Sequence, residues 1–204
     1  MTSNRFIALL LCLPTAGALA HDQDKFQADI PSAKVRQLEA IKTSYKVTGN
    51  TGQAEAGFKA LIGKQPDYYA ANYNLGLVYA DEGDYAQAIT YLEAAKAIRE
   101  RRGLQDATIF NSLGWTYMLQ GNLGKAEDNF KAGKVNEARL SPESRSRLYN
   151  NLGLLYMNEG RYGESRVALL AATADRRNDQ AANNLKTLEQ LTAAARAKAT
   201  VVKR

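Results

Sequence analysis

Asn74-Leu75-Gly76-Leu77-Val78-Tyr79, Ser112-Leu113-Gly114-Trp115-Thr116-Tyr117 and Asn151-Leu152-Gly153-Leu154-Leu155-Tyr156 are three versions of one hexapeptide. Each is followed at the same offset by a glycine: Gly83, Gly121 and Gly160. Asp84-Tyr85, Asn122-Leu123 and Arg161-Tyr162 come next, and then a small and a large residue in register: Ala88 and Leu92, Ala126 and Phe130, Ser165 and Leu169. A leucine, a small residue and an aromatic at i, i+1 and i+4 share one face of a helix. The small residue lets a second helix approach, and the leucine and tyrosine fill the space between that helix and the next unit. A glycine after the aromatic ends the first helix in a left-handed conformation that has no Cβ penalty. The pattern is therefore a helix–turn–helix unit in tandem.

This pattern resembles the tetratricopeptide repeat. Leu75/Gly76/Tyr79, Leu113/Gly114/Tyr117 and Leu152/Gly153/Tyr156 match the family's first helix, and Ala88/Leu92/Ala95, Ala126/Phe130/Gly133 and Ser165/Leu169/Ala172 its second. A less regular first copy runs through Ile41, Tyr45, Gly49, Ala54 and Phe58 to Pro66, departing from the pattern at Lys42 and Leu61. The resemblance implies an all-α, right-handed solenoid of about four repeats, at 35–68, 69–106, 107–145 and 146–178, closed by a capping helix and basic tail at 179–204. Repeats starting at Val35, Tyr69, Ala107 and Ser146 are 34, 38 and 39 residues apart, against a usual period of about 34. The surplus falls in the polar stretches Arg99–Gln105 and Asn136–Ser144, expected as extra turns or longer loops that widen the angle between repeats. Ser141-Pro142-Glu143 reads as a helix start, with a capping hydroxyl, a proline and an acid in the first turn. Asn178-Asp179 can cap a last helix from about Gln180 to Ala197, with Leu185, Leu188 and Leu191 as its one apolar stripe, as a solenoid end requires.

The first twenty residues read differently. Arg5, the apolar run Phe6–Leu13, Pro14 and Ala18-Leu19-Ala20 form a secretory signal, with cleavage expected after Ala20 and His21 as the new N-terminus. The apolar run is too short to cross a bilayer, and Leu11 before Cys12 does not suit a lipoprotein signal. Residues 21–34 are polar, hold Pro31 and are expected to be a flexible lead-in. Cys12 is the only cysteine, so the mature chain forms no disulfide of its own. The expected address is the periplasm, with no transmembrane segment in the mature chain. The formal charge of +6 falls to about +5 when Arg5 is removed. Part of the excess lies in Arg196, Lys198, Lys203 and Arg204, after the last acid, Glu189. Such a tail is either a solvated helix end or a contact for an acidic partner, anionic lipid or cell-wall polymer.

His21 is the only histidine, so neither a histidine base nor a cysteine nucleophile is at hand for catalysis. A phosphate-binding glycine loop is likewise lacking; Gly49-Asn50-Thr51-Gly52 reads as a turn between helices. The chain is therefore expected not to be an enzyme, and to need no cofactor and no metal. A nucleic-acid partner does not fit an exported chain. The expected partner is another protein or peptide segment of the cell envelope, and the oligomeric state is left open.

In the family the first helices line a concave groove. The resemblance carries its inward positions onto Tyr73, Asn74, Leu77 and Asp81; Asn111, Ser112, Trp115, Met118 and Leu119; Asn150, Asn151, Leu154, Met157 and Asn158; and, on the capping helix, Asn183 and Asn184. The asparagines can hydrogen-bond an extended peptide backbone or tie neighbouring helices together. Trp115 can serve as a groove anchor or as core. Arg36, Lys46 and Arg147 do not complete the family's clamp for a C-terminal carboxylate. Exported bacterial proteins of similar build include the small repeat proteins of pilus and secretion systems, the tight-adherence type among them, although no motif here is specific to pili. The function expected is an envelope adaptor or assembly factor. The alternatives are a self-associating scaffold and a polymer-binding protein acting through the tail.

Overall fold

The computed structural model describes residues 29–104, 106–174 and 178–202, with side chains described up to residue 194. The signal sequence, Cys12, His21, the rest of the lead-in up to residue 28, and the charges of the basic tail lie outside the described residues. Among those described there are nine α-helices and no strand. They are α1 (Ser32–Thr48), α2 (Thr51–Lys64), α3 (Tyr69–Glu82), α4 (Tyr85–Arg102), α5 (Thr108–Leu119), α6 (Leu123–Val135), α7 (Pro142–Asn158), α8 (Tyr162–Ala174) and α9 (Asp179–Val202). Consecutive helices pack as hairpins, and the odd-numbered helices also touch one another in succession.

The connectors explain the regularity. Gly49, Gly83, Gly121 and Gly160 all have positive φ, from 65° to 88°. The amide after each of the last three donates to the carbonyl of the repeat's own tyrosine: Asp84 N to Tyr79 O at 3.0 Å, Asn122 N to Tyr117 O at 2.8 Å and Arg161 N to Tyr156 O at 2.9 Å. That bond caps the odd helix. The same short segment opens the even helix, because the side chains of Asn50, Asp84 and Asn122 accept from the backbone amides of Gln53, Gln87 and Lys125. Two residues thus end one helix and begin the next.

Within each hairpin a glycine faces a large side chain. A Cβ on Gly76 would lie 2.7 Å from Leu92 Cγ, one on Gly114 2.6 Å from Phe130 Cδ1, and one on Gly153 2.6 Å from Leu169 Cγ. The first hairpin uses the same device with the partners exchanged. Lys42 occupies the small position of α1 and is buried beside Glu39. The glycine has moved to α2, where a Cβ on Gly57 would lie 2.9 Å from Ile41 Cδ1. Between hairpins, Gly133 of α6 meets Leu148 of α7.

The boundaries of α1 and α9 differ from expectation. Helix α1 begins at Ser32, inside the stretch expected to be a lead-in, and Ile30 is already buried against the first hairpin. Helix α7 begins at Pro142, as Ser141-Pro142-Glu143 announced and ahead of the repeat start aligned at Ser146, with Ser141 capping it through a bond from Ser144 N. Helix α9 runs on to Val202, longer than the stretch ending near Ala197. The surplus before the third repeat lengthens α4 to Arg102, where Gly103 stops it. It then buries Asp106, whose carboxylate accepts from Tyr69 Oη at 2.6 Å and from the Thr108 amide and hydroxyl, while its carbonyl accepts from Arg99 Nε. The surplus before the fourth folds as a 3-10 turn, Glu137–Arg139.

Lys186 of α9 stands where Gly76, Gly114 and Gly153 stand in the earlier odd helices, and its side chain is exposed. Leu188 is buried with Leu169 and Met157, and Leu185 and Leu191 pack half-buried beside them.

Candidate functional site

The sixteen inward positions all lie on odd helices, and most of the polar ones bond across to the next odd helix. Tyr45 Oη of α1 donates to Asp81 Oδ2 of α3 at 2.8 Å. Tyr73 Oη of α3 and Ser112 Oγ of α5 are 2.8 Å apart. Asn151 Nδ2 of α7 donates to Asn111 Oδ1 of α5 at 3.1 Å, and Asn184 Nδ2 of α9 donates to Asn150 Oδ1 of α7 at 2.8 Å. Asn150 Nδ2 reaches Asn151 Oδ1 at 3.4 Å, which links the last two bonds. A polar seam therefore runs from the first odd helix to the last. Of the two roles open to the asparagines, tying helices together is the one their bonds display in the free chain.

Burial sorts the set further. Tyr73, Asn74, Trp115, Met118, Asn150, Met157 and Asn184 are packed away from solvent. Leu77, Asp81, Asn111, Ser112, Leu119, Asn151 and Leu154 are half-buried, and Asn158 and Asn183 are exposed. Trp115 is only 7% exposed and belongs to the central cluster with Leu113, Tyr117 and Met118. Leu77 and Leu154, which occupy its position in the flanking repeats, pack against the same cluster from the half-exposed side. The half-exposed part of the face thus holds Leu77 and Leu154, the residues that match the buried Trp115 in the flanking repeats, together with the amides of Asn111 and Asn151.

Burial and neighbours set the electrostatics of the face. Burial raises the Asp81 carboxyl above its usual range, against the lowering effect of the bond from Tyr45. Burial also pushes the Tyr73 phenol up to about 12, so it stays protonated and bonds to Ser112 as a neutral group. A second polar series joins each even helix to the odd helix of the following repeat. Tyr79 Oη donates to Glu55 at 2.8 Å and Tyr117 Oη to Glu93 at 3.0 Å. At the third junction Arg161 pairs with Glu127 and lies over the Tyr156 ring. None of these groups converges with a second reactive group on an open cavity, and among the described residues no cluster of His, Cys, Asp and Glu could hold a metal ion.

Several residues outside the sixteen inward positions also shape the face. Asp106 and Arg99 fix the junction of α3, α4 and α5. Ser146 Oγ donates to Ala172 O at 2.6 Å and accepts from Asn178 Nδ2, tying α7, α8 and the cap of α9 together. Ser165 replaces the alanine of the earlier repeats and donates to Gly153 O at 2.8 Å. The pattern named Ser165 as the small residue at the position of Ala88 and Ala126, but not its hydroxyl's bond. Asp106 lies just past the irregular surplus Arg99–Gln105, where the pattern gives no register.

Two models of the tetratricopeptide repeat match the sequence, at residues 67–133 and 146–174. Among solved structures, PilF of Pseudomonas aeruginosa is similar, with 20% identity and a TM-score of 0.68 over 77% of this chain and 68% of that one. A thermophilic protein of the same repeat class from Thermus thermophilus is similar at 24% identity and a TM-score of 0.60, over 80% of this chain and 84% of its own. No curated protein matches the sequence. No described helix is long and apolar enough to cross a membrane.

Proposed function

We propose that this chain, which carries tetratricopeptide repeats over residues 67–133 and 146–174, is a non-enzymatic adaptor of the cell envelope that holds a segment of a partner polypeptide against its odd-numbered helices. The observation that carries it is the line Leu77, Trp115 and Leu154, contributed by equivalent positions of α3, α5 and α7, beside the half-exposed amides of Asn111 and Asn151. An apolar line with donors and acceptors at its edge suits an extended or helical segment that presents alternating apolar and polar groups. The exported type of leader supports the periplasmic address. The leader and the repeat architecture together support the finer proposal, a part in assembling a pilus or secretion system.

A photo-reactive residue placed at Leu154 or Asn158, and at Val135 on the far side of α6 as a control, tests this in the intact envelope. Val135 is 86% exposed, so it samples solvent freely. One discrete adduct at positions 154 and 158 and none at 135 is expected. Adducts at 135 alone would overturn the assignment of the face. Trp115 and Asn151 are poor first choices for loss of binding, because both also hold the fold together.

The self-associating scaffold keeps one observation in its favour. Helix α8 exposes Val167 by 70% and Leu170 by 47%, where α6 carries Asp128 and Lys131. Equilibrium sedimentation of Val167→Ser/Leu170→Ser against the parent chain decides it: a dimer lost in the variant supports the scaffold, and a monomer in both removes it.

A further inference from the structure

Helix α8 departs from the other even helices on its outward side. Where α4 carries Thr90 and Glu93, and α6 carries Asp128 and Lys131, α8 carries Val167 and Leu170, both exposed. One turn beyond them stand Gly163 and Ala174, also exposed. The four lie at i, i+4, i+7 and i+11, so they form one stripe along the helix. Its order is small, large, large, small, which reads the same from either end. The matching pair on α6, Asp128 and Lys131, is an acid and a base, both exposed. Arg161, just before α8, pairs with Glu127 of α6 at 3.0 Å, so the two helices lie side by side there.

We propose that this side seats a second copy of the chain, with α8 antiparallel to α8 and α6 antiparallel to α6 about one two-fold axis. The proposal goes beyond the odd-helix reading; it rests on the self-association reading and gives that reading a geometry. A two-fold crossing α8 midway between Val167 and Leu170 sets Val167 opposite Leu170 of the second copy, and Gly163 opposite its Ala174. The repeat places α6 and α8 in matching register, so the same axis crosses α6 midway between Asp128 and Lys131. Each Asp128 then faces Lys131 of the other copy, and symmetry makes the contact twice. A parallel pairing of α8 with α8 would carry the two copies of α6 to opposite sides, where their charges do not meet. Lys131 pairs with Glu127 in the free chain at 3.0 Å, and Glu127 keeps Arg161 when Lys131 turns to the second copy. The even helices thus stand back to back and the two odd-helix faces look outward, so one dimer holds two partner segments. Both helices have 13 residues and are about 20 Å long. Such a footprint is at the low end for specific interfaces, so the dimer assembles and dissociates readily with concentration.

Cys12 is the only cysteine, so the chain from residue 21 onward has none and introduced thiols report the register. Gly163→Cys and Ala174→Cys change exposed positions, and nothing lies within 4 Å of a Cβ at Gly163. Under mild oxidation a mixture of the two variants is expected to give a disulfide-linked dimer, and either variant alone none. In either alone the two thiols would stand about 16 Å apart along the helices, out of disulfide reach. Equilibrium sedimentation reads the charge pairing. Asp128→Lys and Lys131→Asp are each expected to weaken the dimer about tenfold, since each sets two like-charge contacts, and the double reversal is expected to restore it. A dimer that crosslinks through Gly163→Cys alone, that ignores the single reversals, or that does not recover in the double one overturns the two-fold and leaves self-association standing. A chain that stays monomeric at every concentration overturns both, whether or not another protein covers α8, and leaves the odd-helix reading untouched.

Discussion

Gly114→Ala adds one methyl group to α5 and asks α6 to make room for it. The new Cβ would lie 2.6 Å from both Cδ1 and Cε1 of Phe130 and 3.0 Å from its Cγ. Carbon atoms rest about 3.5–4.0 Å apart, so the helices must separate by roughly 1 Å or the ring must leave its rotamer. Phe130 is fully buried and has nowhere to turn. Forcing a methyl group into such a site costs about 1–3 kcal/mol, and the upper end applies because the neighbour is a rigid ring. Alanine's better helix propensity returns about 1 kcal/mol. The net expectation is a loss of about 2 kcal/mol. Gly124→Ala, in α6 with nothing within 4 Å of its Cβ, gains up to about 1 kcal/mol from propensity alone. Urea unfolding followed by circular dichroism at the helix band separates the two, since their signs differ. In a Phe130→Ala background the clash is gone and Gly114→Ala turns stabilising, a coupling that a double-mutant cycle reads directly. If Gly114→Ala stabilises the parent chain as Gly124→Ala does, close approach at the glycine does not hold the hairpin together.

Asn150→Ala removes the acceptor for Asn184 and leaves a buried amide unpaired; about 1–3 kcal/mol of stability is lost, and hydrogen exchange quickens first in α9. Asp106→Ala leaves Tyr69 Oη and the Thr108 amide without their acceptor, so a loss of about 3 kcal/mol is expected from the same urea titration. Stability falls on acidification below about pH 5. Bonds from Lys59 to Glu55 and from Arg161 to Glu127 and Glu164 hold these carboxyls below the ordinary glutamate value of 4.5. Their contribution is therefore complete above that value and is lost as pH drops through the lowered ones. Asp81, raised by burial, works in the opposite sense, and Glu127→Gln flattens the descent in a plot of urea midpoint against pH.

The helical stack was legible because its rules are local and repeated. A glycine after a tyrosine, and a small residue facing a large one a fixed distance away, recur three times, and each carries its own steric meaning. The first hairpin hid the same rule by exchange: Lys42 breaks the pattern on α1, and Gly57 restores it from α2. The inward positions were legible as places on odd helices, but their states were not. Whether Asn151 meets a partner or Asn111 depends on the rotation and spacing of two helices 40 residues apart in sequence, which no local pattern sets. Asp106 escaped notice for a related reason, since its value lies in three partners drawn from different helices. Ser141-Pro142-Glu143 did announce the start of α7, four residues ahead of the start the repeat alignment assigned.

The central claim is that partner contact falls on the odd helices. Hydrogen exchange of the chain alone and in complex with the crosslink-identified partner measures it most directly. Slower exchange confined to α3, α5 and α7, with α4, α6 and α8 unchanged, is the predicted result. Protection centred on α8 around Val167 and Leu170, with the odd helices unaltered, would contradict it.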